Sequence, residues 1–229
     1  MKLCRISVLA AVLSLSAVLL TGCAGGGNPS IPRETKSAEE LRQLEQTQHE
    51  ARETSYRNLT EAHGLCSSAA CALVNGYSFS ETEATEYDDE TECLTAFCMV
   101  TGLDSQTVKD AAAAVLEERK LEAQPLSVLL RDGNITVALI CRALTANGTF
   151  GRIDALLDRA SETMKTVTFG CPGYSALRSY YYGMAEYVLY CEFPSGSYRE
   201  LGATVKAYEA SLIDPRDQLE QLAKESATA

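Results

Sequence analysis

Nine cysteines stand in a chain of 229 residues that has two histidines and no tryptophan, so thiol chemistry is the first to consider. Two stretches, Cys66-Ser67-Ser68-Ala69-Ala70-Cys71 and Cys93-Leu94-Thr95-Ala96-Phe97-Cys98, each hold two cysteines across the same four-residue gap. If the helices that carry them pack antiparallel, Cys66 meets Cys98 and Cys71 meets Cys93. Residues five apart on an α-helix are about 140° apart in projection, so both rungs can face the partner only where a helix is interrupted. Bridging within each pair needs the same interruption, and buried reduced thiols that fill gaps as small hydrophobes are the remaining reading. Cys66, Cys71, Cys93 and Cys98 are the candidate disulfide residues. With Cys141, Cys171 and Cys191 they make an odd set beyond Cys23, which implies a free thiol or an intermolecular bridge.

Other chemistries find little support. There is no Cys-x-x-Cys, and the four-residue gaps are never followed by the short gap of iron–sulfur ligation. His49 and His63 are too far apart along one helix to share a metal, and both are expected at solvent-facing positions. The acidic run Glu81 to Glu92 lacks the alternating ligands and central glycine of a calcium loop, so it reads as a solvated face or connection. No phosphate loop, dinucleotide fingerprint, Gly-x-Ser-x-Gly or zinc-hydrolase motif is present, and no cofactor is expected. A hydrolase built on two carboxylates needs no local motif and stays open. Many of the eleven tyrosines crowd between Tyr174 and Tyr190. There Leu177, Tyr180, Tyr181, Met184, Tyr187, Val188 and Cys191 recur at spacings of three and four. That face is either core with its hydroxyls reaching the surface or an aromatic ligand groove formed by Tyr180, Tyr181 and Tyr187. With 31 acidic against 20 basic residues the net charge is −11, and nucleic acid and anionic lipid headgroups are poor partners.

The elements that must position these residues read as helices. Ser37-Ala38-Glu39-Glu40 is a capping box that opens a polar helix running to about His63. Its weak seam is Leu41, Leu44, Gln48, Ala51, Ser55, Asn58 and Ala62. Three later stretches run from a cysteine through apolar residues to Asn-Gly or Thr-Gly and then to a short polar residue, which predicts helix, turn, helix at Gly76, Gly102 and Gly148. Further helices are predicted at Phe150 to Lys165, Ser175 to Cys191, Tyr198 to Leu212 and Pro215 to Glu225. The fold class is all-α, a bundle of antiparallel helical hairpins. The alternative to helix is a short β-hairpin near 126–140 turning at Asp132-Gly133, with Lys165 to Phe169 as a strand beside it.

The N-terminal segment has a different character. Lys2 and Arg5 form a positive head, Ile6 to Leu20 an apolar core too short for a membrane span, and Leu20-Thr21-Gly22-Cys23 follows. This order resembles the export signal and lipobox of bacterial lipoproteins. The resemblance implies that residues 1–22 are removed as a signal peptide and that Cys23 is lipidated. Residues 23–36 then form a flexible tether with Gly25, Gly26, Gly27, Pro29 and Pro32, reaching on the order of 20 Å. Two or three acyl chains hold a protein firmly on a membrane. Ala24, where an aspartate would signal inner-membrane retention, implies the outer membrane facing the periplasm if the source is Gram-negative, and otherwise the outer face of the cell membrane. In such a compartment bridges form, and twin-cysteine helical hairpins supply the pattern for Cys66–Cys98 and Cys71–Cys93. Tyr198-Arg199-Glu200-Leu201-Gly202 and Tyr208 to Pro215 are similar to fragments of tetratricopeptide repeats, a hint of helical-hairpin architecture. The expected organisation is a signal (1–22), a lipidated tether (23–36), a polar helix (37–63) and a helical domain (64–229). The expected role is a non-catalytic envelope module that binds a protein partner. The alternative is a small-molecule-binding or hydrolytic envelope protein with a tyrosine-lined pocket.

Overall fold

The computed structural model describes residues 37–228, so the signal segment, Cys23 and the tether lie outside the described residues. Among those described there are eight α-helices and no strand. They are α1 (Ala38–Thr82), α2 (Glu90–Thr101), α3 (Ser105–Arg119), α4 (Leu126–Leu129), α5 (Gly133–Ala146), α6 (Thr149–Met164), α7 (Tyr174–Glu192) and α8 (Tyr198–Thr228). A 3-10 turn, Ala84–Glu86, follows α1. No described helix is long and apolar enough to cross a membrane.

The axis of the fold is α1, 45 residues long and therefore roughly 65–70 Å from end to end. Its buried residues include Gln48, Arg52, Ser55, Leu59, Ala62, His63, Cys66, Ala69, Ala70, Leu73, Gly76 and Phe79, which follow the three-and-four spacing of one helix face. The observed stripe takes Arg52 and Leu59, whereas the expected seam took their neighbours Ala51 and Asn58, which are half-buried. Leu41 and Leu44 remain exposed. The first half of α1 is thus packed into the domain. Ser55 donates to the Ala160 carbonyl on α6, and Arg52 Nη1 donates to the Pro172 carbonyl in the α6–α7 connection, 3.1 Å away. The second half packs on α2 and α5. There the Asn75 amide donates to the Val100 carbonyl, and Phe79 meets Phe97 edge to face.

Two glycine turns form as expected and one does not. Gly102 ends α2 at φ 71° and Gly148 precedes α6 at φ 76°, both left-handed conformations that side chains disfavour. Gly76 lies inside α1, so the predicted turn there and the predicted end of the polar helix near His63 are both corrected. The reason is packing: a Cβ on Gly76 would run into Ile140 Cδ1, and Thr101 and Phe97 are next nearest. Absence of a side chain serves close approach of α5 and α2 rather than a change of direction.

The possible hairpin near 126–140 is helical. Asp132 Oδ1 accepts hydrogen bonds from the Asn134 and Ile135 backbone N–H groups, so Asp132-Gly133 opens α5 as a helix cap. Residues 165–169 form the connection after α6, not a strand. Asp89 and Asp104 cap α2 and α3 in the same way. The acidic run is partly capping chemistry too, since Glu90 Oε1 accepts from the Leu126 N–H at the start of α4. The last two predicted helices are one. In α8 the proline Pro215 is buried with Leu212 and Leu219, so its ring joins the apolar face of a helix that continues through it. Both repeat-like fragments therefore lie on a single helix.

Candidate functional site

Halfway along α1, His63, Cys66 and Ser67 lie three and four residues apart and share a face. They meet Tyr180, Tyr187 and Cys191 of α7, again at helical spacing, and Glu209 of α8. His63 Nδ1 is 2.9 Å from the Tyr180 hydroxyl and Nε2 is 2.8 Å from Glu209 Oε2. With Nε2–H donating to the carboxylate, Nδ1 accepts the Tyr180 proton, and both ring nitrogens are satisfied. The other carboxylate oxygen, Glu209 Oε1, accepts from Ser67 Oγ at 2.5 Å and from the Tyr187 hydroxyl at 2.8 Å. Tyr208 stacks on Tyr187 with ring centroids 5.4 Å apart. Three helices are thereby joined through one carboxylate.

The electrostatics follow from this wiring. Burial pushes the Glu209 carboxyl up, but hydrogen bonds from Ser67, His63 and Tyr187 together outweigh it and hold the group below the ordinary glutamate value. Burial pushes Tyr180 up to about 12. Burial, and then the bond to the Glu209 carboxylate, keep the Tyr187 hydroxyl protonated well above the usual tyrosine range. One turn further on, Cys66 and Cys191 are both fully buried with sulfurs 3.8 Å apart. The neighbouring Cys191 sulfur, and then burial, push the Cys66 thiol up. Cys141 on α5 points its thiol at the Cys191 carbonyl, 3.7 Å away, and burial raises it to about 12. Protonated buried thiols are poor nucleophiles.

A serine, a histidine and a glutamate in one cluster suggest a nucleophilic triad, but the geometry is of a different kind. Ser67 bonds to Glu209 and not to His63, and neither imidazole nitrogen is left to take a proton from a serine hydroxyl. What this arrangement does chemically is hold α7 and α8 on α1 at one register. No group of three or more His, Cys, Asp or Glu poised to hold a metal occurs among the described residues.

The expected site residues are placed as follows. None of the seven described cysteines is bonded to another in the structure. Cys66 is buried beside Cys191, Cys71 is exposed, Cys93 is buried and Cys98 is half-buried. Tyr180 and Tyr187 are fully buried and hydrogen-bonded, while Tyr181 is half-buried with its ring edge against Tyr182. The expectation that both histidines face solvent is corrected for His63, which is 7% exposed because Tyr180 and Glu209 close over it. His49 is half-buried. Two open concavities lie elsewhere. One, of about 460 Å³, is bounded by Tyr77, Arg119, Asn134, Cys141, Arg142 and Phe193. The other, of about 720 Å³, runs along α1 between His49 and Glu61. Tyr180, Tyr181 and Tyr187 line neither.

Sequence reasoning missed Glu209, Ser67 and the Cys66–Cys191 neighbourhood. The seven-residue spacing of Tyr180 and Tyr187 marks one face, but their hydroxyls, expected at the surface, are buried on His63 and Glu209 instead. Nothing in the local sequence singles out Glu209 among 31 acidic residues. Comparison with known protein families, curated proteins and solved structures finds no match.

Proposed function

We propose that the chain is a lipid-anchored protein of the bacterial cell envelope whose helical domain binds another envelope protein without catalysing a reaction. The observation that carries the reading is the ordered N-terminal signature: Lys2 and Arg5, the apolar core Ile6 to Leu20, then Leu20-Thr21-Gly22-Cys23 and a glycine-rich tether. Lipid on Cys23 supplies the membrane attachment, and Ala24 favours the outer membrane in a Gram-negative source. The binding role is supported by large apolar side chains left at the surface: Phe169 is 88% exposed, Met99 81% and Phe193 65%. Such side chains are the material of interface cores.

The rival reading, a small-molecule-binding or hydrolytic protein with a pocket lined by Tyr180, Tyr181 and Tyr187, has less support. Two of those rings are fully buried, and their hydroxyls are spent on His63 and Glu209.

Two measurements test the proposal. Intact mass of the protein from bacterial membranes is expected to show removal of residues 1–22 and addition of acyl chains, and Cys23→Ser is expected to leave an unmodified precursor. An unmodified Cys23 in the wild-type protein overturns the anchor. Crosslinking in whole cells is expected to recover a discrete envelope protein, with yield reduced by Phe169→Glu, Met99→Glu or Phe193→Glu. If no partner is recovered and the purified domain instead binds a small molecule in a manner abolished by Tyr181→Ala, the pocket reading replaces the binding module.

A further inference from the structure

Cys66 and Cys191 are brought together by the fold from 125 residues apart, with sulfurs in van der Waals contact at 3.8 Å and neither side chain exposed. They sit on different helices, one turn past His63 on α1 and one turn past Tyr187 on α7, beside the hydrogen-bonded layer that fixes the register of those helices. A disulfide at ~2.05 Å requires these sulfurs to move closer by less than about 2 Å. The other cysteines are placed differently. Cys71 is exposed, Cys171 directs its thiol to the Pro172 carbonyl at 3.6 Å, and Cys141 directs its own to the Cys191 carbonyl.

We propose that Cys66 and Cys191 form the native disulfide of this domain, tying α1 to α7 and leaving Cys71, Cys93, Cys98, Cys141 and Cys171 as thiols. The chemistry is dithiol–disulfide exchange with a disulfide acceptor, either a small-molecule disulfide or the disulfide of a thiol oxidase. The thiolate of one cysteine attacks the acceptor, whose S–S bond breaks to give a mixed disulfide and one free acceptor thiol. The thiolate of the second cysteine then displaces the other acceptor sulfur. Two protein thiols are oxidised to one disulfide, and the acceptor is reduced to two thiols. Because the pair ends up buried, the exchange belongs to folding, before α7 closes on α1. In the cell the acceptor is what an oxidising envelope supplies, so occurrence there rests on the proposed location. The pairing itself rests on the fold alone.

The test separates the two. Full-length protein is reduced and unfolded, then refolded in detergent with a mixture of reduced and oxidised glutathione, with helix content followed by circular dichroism. Free thiols are alkylated and the chain is digested without reduction. The expected product is one peptide pair joining Cys66 to Cys191, two hydrogens lighter than the sum of its halves. Cys191→Ala is expected to lack it and Cys71→Ser to retain it. The oxidised wild type is expected to melt at a higher temperature than the reduced form, and Cys191→Ala to show no such difference. Full alkylation of Cys66 and Cys191 after refolding to the helical state overturns the proposal, as does joining of Cys66 to Cys98 or Cys141. Neither outcome bears on whether Cys23 carries lipid.

Discussion

The two halves of α1 are packed by different physics. Around His63 the contacts to α7 and α8 run through Tyr180, Tyr187, Ser67 and the single carboxylate of Glu209. Around Phe79, some four turns further on, the buried contacts to α2 and the following turn are apolar, and the hydrogen bond from Asn75 to the Val100 carbonyl lies at the exposed edge. Phe79 meets Phe97 with ring centroids 5.6 Å apart and stacks on Tyr87 at 5.9 Å. An apolar contact is non-directional and rewards any shape that fills the space, whereas a buried polar layer is stable only when every donor and acceptor is matched. The aromatic end therefore supplies burial free energy, and the polar layer selects one register among the packings that a stripe of alanines would otherwise allow. The same stripe, Ala62, Cys66, Ala69, Ala70 and Leu73, runs between them.

The largest effect is expected at the apolar end. Phe97 is fully buried against Phe79 and beside Gly76, so Phe97→Ala removes a whole ring from a packed layer. A loss of ~3–5 kcal/mol is expected, read as a lower midpoint in urea unfolding with the slope unchanged. A loss below ~1 kcal/mol shows that this end is not the main source of burial energy and reverses the assignment of roles.

At the polar layer the effect is smaller and depends on pH. Glu209→Ala leaves His63, Ser67 and Tyr187 without their acceptor, but the Glu209 side chain is about a third exposed and water reaches the vacated place, so a cost of about 1 kcal/mol is expected at neutral pH. Its folded-state carboxyl lies below the ordinary glutamate value, so the stabilisation is complete above that value and is lost as pH falls through the depressed one. The gap between wild type and Glu209→Gln is therefore expected to narrow as pH drops below about 4, while Phe97→Ala keeps its gap. Urea midpoints across acid pH check this. A constant gap for Glu209→Gln removes the carboxylate as the source of specificity.

The sequence made the helical class legible because capping chemistry is local. Gly102 and Gly148 punctuate as their left-handed geometry requires, and Asp104 caps the helix after the first of these turns. Asp132 and Asp89 cap helices too, but in the sequence the first reads equally as a hairpin turn and the second is lost in the acidic run. What stayed hidden depends on partners distant in sequence. Gly76 carries the same turn signature as Gly102, and only the approach of Ile140 tells a packing glycine from a turning one. Pro215 reads as a break until Leu212 and Leu219 beside it are seen to be buried. Of the site, the tyrosine face was visible by periodicity. Its partner Glu209 was not, because a carboxylate on an otherwise exposed helix has no local mark.

The smallest effects sharpen the comparison most, because they come from two glycines on the same helix. Gly64 follows His63 and has open space where a Cβ would stand, whereas a Cβ on Gly76 would meet Ile140, Thr101 and Phe97. Replacing an interior helical glycine by alanine restricts the unfolded chain and improves helix propensity, a gain of ~0.5–1 kcal/mol wherever the methyl fits. Gly64→Ala is therefore expected to stabilise by about that amount. At Gly76 the same gain is offset by overpacking, which costs ~1–3 kcal/mol in a close-packed layer, so a net destabilisation of about 1 kcal/mol is expected. The clash is with the terminal methyl of Ile140, and Ile140→Val deletes that methyl. Alone, Ile140→Val should cost ~0.5–1.5 kcal/mol as a small cavity. Combined with Gly76→Ala it should cost nothing further or restore stability, giving a coupling of about 1 kcal/mol in a double-mutant cycle, while Gly64→Ala and Ile140→Val should add independently. If Gly76→Ala stabilises the protein as Gly64→Ala does, α5 does not approach α1 as closely as the structure has it, and the apolar end packs more loosely than the polar layer.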